Sequence, residues 1–77
     1  MMDIKVCGPG CPKCQEAERL VKEAVAESGV EATIEKVTDF NIIAGFGVFS
    51  TPAVVIDGQV KCVGKVPTIK EVLVWLS

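Results

Sequence analysis

Seven residues separate what this sequence marks as a strand from what it marks as a helix, and two of the seven are cysteines. Asp3-Ile4-Lys5-Val6-Cys7 reads as a short strand, Gly8-Pro9-Gly10 forces a break, and Gln15 to Ser28 carries helical periodicity. Cys11-Pro12-Lys13-Cys14 therefore occupies a loop and the first helical turn. A helix brings residues three apart onto one face, at a spacing that a disulfide can bridge. The unpaired N–H groups of a helix start also stabilise a nearby thiolate, the reactive form of cysteine. The expected product is a dithiol that is acidic, reachable and able to close on itself.

The remaining elements follow from local signals. Ala17, Leu20, Val21, Ala24 and Val25 form a helical apolar stripe, Pro12 suits the first helical position and Gly29 suits the C-terminal cap. Val30 to Val37 reads as a strand with Ala32, Ile34 and Val37 facing inward. Thr38-Asp39 reads as the N-cap of a short helix around Phe40 to Ala44. Ala53 to Ile56 is a β-branched run, and Asp57-Gly58 is a two-residue hairpin signal that makes Gln59 to Val63 the returning strand. Thr68-x-x-Glu71 is a capping box ahead of a last helix carrying Ile69, Val72, Leu73 and Leu76. The order βαβ-α-ββ-α predicts a single α/β domain over residues 1–77, a four-stranded mixed sheet with helices on both faces.

Composition excludes several functions. At 77 residues and 49% apolar, the chain is sized for one small core. Its net charge of −2, without any Lys/Arg run, excludes a nucleic-acid binder. The stretch from Ile42 to Ile56 is too short and too interrupted to span a membrane. The first strand begins almost at once, which places the four cysteines in a reducing cytoplasm rather than in a secreted disulfide framework. Histidine is absent, which removes every Cys-His or Ser-His catalytic arrangement.

The element order, the C-x-x-C after the first strand and Thr51-Pro52 before the third together resemble the thioredoxin fold, over essentially the whole chain. At this length the sequence is most similar to the small glutaredoxin-like group of redox-active disulfide proteins. The resemblance implies a thiol–disulfide oxidoreductase, with Cys11 the nucleophile and Cys14 the residue that resolves the mixed disulfide. It further implies a cis peptide bond at Pro52 facing the dithiol, with Thr51 holding the substrate. No cofactor beyond the Cys11–Cys14 disulfide is implied. The implied partners are a disulfide reductase or small-thiol electron donor and disulfide-containing protein substrates, with the chain acting as a monomer. Lys13 stands where glutaredoxins carry an aromatic residue, and Val63-Gly64-Lys65 offers one glycine where a glutathione site uses two.

Other residues admit two readings. Lys13 is either an ordinary exposed side chain or a cation beside the thiols that contacts substrate. Cys7 is either a small buried hydrophobe or a third thiol. Cys62, on a strand with Val60, reads as core. Phe46 and Phe49 are core and loop packing or an apolar rim for a partner protein. The competing function is a thiolate module for Cu(I) or Zn(II), using Cys11, Cys14 and Cys7. Small copper chaperones share the strand–CxxC–helix start but close on a strand, whereas this chain closes on the helix capped at Thr68.

Overall fold

Strand β1 (Met2–Cys7) lies inside the sheet, with a partner strand on each side. The chain is described by a computed structural model covering residues 2–10 and 12–77. After β1 come α1 (Pro12–Ser28), β2 (Ala32–Val37), α2 (Phe40–Gly45), β3 (Ala53–Ile56), β4 (Gln59–Val63) and α3 (Ile69–Leu76). The sheet order is β2-β1-β3-β4, with β1 parallel to β2, antiparallel to β3, and β3 antiparallel to β4. This is the expected four-stranded mixed sheet.

The alternation of side chains along each strand divides the interior in two. Ile4 and Val6 of β1 and Val54 and Ile56 of β3 face α1 and α3, where they meet Ala17, Val21, Ala24, Val72 and Leu76. Cys7, Ala53, Val55 and Val37 face the other way and pack against Ile43 of α2 and Val48. Helices therefore cover both faces. Each valine or isoleucine so buried contributes about 1.5–3 kcal/mol, which is how a chain this short sustains two small cores.

Local chemistry sets the element ends where expected. Pro12 opens α1. The Asp39 carboxylate caps α2 by accepting from the Asn41 backbone N–H. Asp57 and Gly58 both take positive φ, 50° and 83°, as a tight hairpin turn requires. At α3 both halves of the Thr68/Glu71 capping box are formed. The strand expected over Val30 to Val37 is shorter, running Ala32–Val37, and among the described residues its ladder with β1 begins at Met2 opposite Ala32. Ala32 and Ile34 pack toward α1, whereas Val37, an odd number of residues on, packs toward α2. Among the described residues no helix is long and apolar enough to cross a membrane.

Candidate functional site

The C-terminal end of β1 meets the start of α1 at Gly8. Its N–H donates to the Val37 carbonyl at 2.8 Å, which continues the β1–β2 ladder one residue past Cys7. Cys14, in the first turn of α1, is only 2% exposed and lies directly over this glycine. A methyl group on Gly8 would run into Cys14 Sγ and stand 2.9 Å from Cys14 Cβ and 3.7 Å from Thr51 Cβ. Gly8 is thus the point where β1, the first turn of α1 and the loop before β3 converge. Gly10 takes φ +96°, and its carbonyl accepts from Gln15 Nε2 at 3.1 Å, which pins the turn to α1.

The Thr51–Pro52 peptide is cis, and Pro52 is buried. Its carbonyl accepts from the Gly64 N–H at 2.8 Å, so the loop after β4 holds the loop before β3. Thr51 is half-buried. Besides its approach to Gly8, it borders an apolar cavity of about 290 Å³ lined by Phe40, Ile43, Ala44, Val48, Phe49 and Ser50. Phe40 and Phe49 at the mouth of this cavity are 64% and 84% exposed, while Phe46 packs inward against the α2-side core.

Of the residues expected at the site, the structure brings Cys14, Thr51 and Pro52 to one end of the sheet and leaves Lys13 exposed on the first turn of α1. Cys11 lies outside the described residues. Cys7 is fully buried on the α2 side, and burial pushes its thiol up, against a smaller opposing pull from the Lys5 ammonium. Such a thiol stays protonated, which favours the packing reading of Cys7. Cys62 is buried on the opposite side of the sheet. Its thiol is also pushed up by burial and approaches the Lys65 carbonyl at 3.8 Å.

Two neighbours were not singled out by sequence pattern. Gly8 reads as a chain break, and only its position directly after the last strand residue hints at a close approach. Lys36 reads as a polar strand residue, yet its ammonium lies 3.8 Å from where a Cβ on Gly10 would stand. The parallel register explains this, since Lys36 pairs with Val6, one residue short of the end of β1.

A family model described as a thioredoxin domain matches residues 2–77. The chain belongs to the thioredoxin family. It is 46% identical over 72 residues to a thioredoxin of Methanocaldococcus jannaschii, covering 94% of this chain and 83% of that relative. It is 36% identical over 77 residues to a thioredoxin of Methanothermobacter thermautotrophicus, covering the whole of both. A thioredoxin-like redox function accompanies that membership, and thioredoxins as a class act with reductases and disulfide substrates.

Proposed function

We propose that this thioredoxin-family chain is a thiol–disulfide oxidoreductase working through Cys11 and Cys14, as a monomer in a reducing cytoplasm. The observation that carries the reading is the seating of Cys14. A buried sulfur at a helix start, packed on a glycine and flanked by Thr51, suits a resolving thiol that must stay out of solvent until a mixed disulfide forms beside it.

In the first step the Cys11 thiolate attacks one sulfur of a substrate disulfide. A new S–S bond forms, the substrate bond breaks, and the departing sulfur takes up a proton. Cys14 then loses its proton and attacks the Cys11 sulfur, which releases the second substrate thiol and closes the Cys11–Cys14 disulfide. The substrate has gained two electrons and two protons; the chain has lost two electrons and the Cys14 proton, and the other proton comes from solvent because Cys11 entered as thiolate. A disulfide reductase or a small thiol restores the dithiol, so no further redox group takes part. Thr51, at the bend before Pro52, holds an extended substrate segment through its backbone, and Lys13 contributes a cation at the rim.

Reduction of a model protein disulfide, with dithiothreitol as the electron source, tests the reading. Cys11→Ser should abolish turnover, and Cys14→Ser should accumulate a mixed disulfide at Cys11 visible by mass spectrometry. Undiminished turnover in the Cys11→Ser, Cys14→Ser double variant would overturn it.

A further inference from the structure

Gly8 is a glycine that backbone conformation does not explain. Five of the seven glycines take positive φ, where a side chain is strained, but Gly8 is not among them. Gly45 is not among them either, and an added Cβ there would meet nothing within 4 Å. At Gly8 an added Cβ would fall onto Cys14 Sγ, so the space that a side chain would take is filled by the sulfur. The floor under that sulfur is fixed, because the Gly8 N–H is bonded to the Val37 carbonyl at 2.8 Å. Thr51 stands on the far side, its Cβ 3.7 Å from the same point. Cys14 is 2% exposed in this place, although its neighbours Lys13 and Gln15 on the first turn of α1 are exposed.

We propose that Gly8 is a positioning residue for Cys14: its bare backbone is the seat that holds Cys14 Sγ out of solvent, and it thereby sets the order of disulfide exchange. The proposal rests on the oxidoreductase reading above and adds a residue of the β1–α1 turn to it. A seated sulfur is closed to disulfides and thiols in solution. It acts only after a mixed disulfide has formed on the chain, when it gives up its proton, bonds to the chain-side sulfur and releases the substrate thiol. A methyl group at position 8 would take the seat. Turning about the Cys14 Cα–Cβ bond moves the sulfur off the glycine and out of its buried place. Overpacking of this size shifts the balance between the two placements about thirty-fold.

The test is native-state alkylation of the full-length Cys11→Ser chain, with and without Gly8→Ala, reading Cys7, Cys14 and Cys62 separately by peptide mass spectrometry. Gly8→Ala should speed Cys14 about thirty-fold and leave Cys7 and Cys62 as slow as before. With Cys11 intact and dithiobis(nitrobenzoate) as the disulfide, release of the second thionitrobenzoate should slow in Gly8→Ala while release of the first does not. A Cys14 that stays as slow as in the Cys11→Ser parent would overturn the proposal. So would an equal gain at Cys7, Cys14 and Cys62, which marks a general loosening of the fold, or a second release at the parent rate. If Gly8→Ala does not fold, adding Cys14→Ala should restore a folded chain, because the sulfur that competes with the methyl group is gone. A double variant that is still unfolded would overturn the proposal as well. The alkylation readout does not depend on turnover. Cys14 unmasked by Gly8→Ala, in a protein that fails to exchange disulfides, would retain the seat and remove the oxidoreductase reading, and active exchange with Cys14 still masked would do the reverse.

Discussion

Gly8→Ala is the sharpest perturbation the structure offers, because it adds one methyl group at the convergence of three elements. The added carbon would overlap Cys14 Sγ and stand 2.9 Å from Cys14 Cβ, closer than carbon atoms pack. Neither side can easily give way. The Gly8 backbone is held by its 2.8 Å bond to the Val37 carbonyl, and Cys14 sits buried in the first turn of α1. Overpacking of this kind costs about 2 kcal/mol, which for a domain of this size lowers the melting temperature by roughly 8–16 °C. Thermal unfolding of the reduced protein, followed by circular dichroism, measures it. Gly45→Ala is the matched control, since nothing lies within 4 Å of a Cβ there and the site is the end of α2. That variant should melt within a few degrees of the parent or above it. A Gly8→Ala protein melting with the parent would refute the argument that a bare backbone is needed under Cys14.

Cys7 and Cys62 should resist alkylation in the native protein at neutral pH, since burial pushes both thiols up, and should react fully once urea unfolds the chain. Peptide mapping at increasing urea checks this, and rapid native labelling of Cys7 would contradict its placement in the α2-side core. Glu71 is held below the ordinary value of 4.5, first by its bond from Lys65 and then by the Thr68 backbone. A carboxyl depressed in the folded state stabilises above its unfolded pKa and loses that contribution as pH falls through the folded value. Glu71→Gln should therefore flatten the fall of stability on acidification below about pH 4.5, and urea midpoints measured across that range in both proteins would show it.

Much of the architecture was legible because its signals are local. Asp57-Gly58, Thr68-x-x-Glu71 and the stripe from Ala17 to Val25 each act within a turn or two of chain, and each element formed where its signal stands. The site was legible only as a set of residue types. That Gly8 underlies Cys14, or that Lys36 reaches Gly10, depends on the register of β1 against β2 and on the seating of α1. No short window of sequence carries either. The start of β2 was missed as well: Val30 and Glu31 look like strand, but the described pairing with β1 begins at Met2 opposite Ala32, where the Met2 N–H donates to the Glu31 carbonyl.

The antiparallel pairing of β1 with β3 gives the molecule two ends of different character. Cys7 pairs with Ala53 at one end, beside Gly8 and the Pro52 loop, and Ile4 pairs with Ile56 at the other, beside the Asp57-Gly58 turn. Asp57 closes that far end, donating its N–H to the Asp3 carbonyl at 2.8 Å and accepting from the Asp3 N–H at 2.9 Å. The two ends stand roughly 10–15 Å apart along the strands. A surface chemist wishing to immobilise the protein thus has a handle in Gln59, exposed just past the turn. Coupled there through a cysteine-free linkage, the molecule would stand on its closed end and present its thiol end to solution.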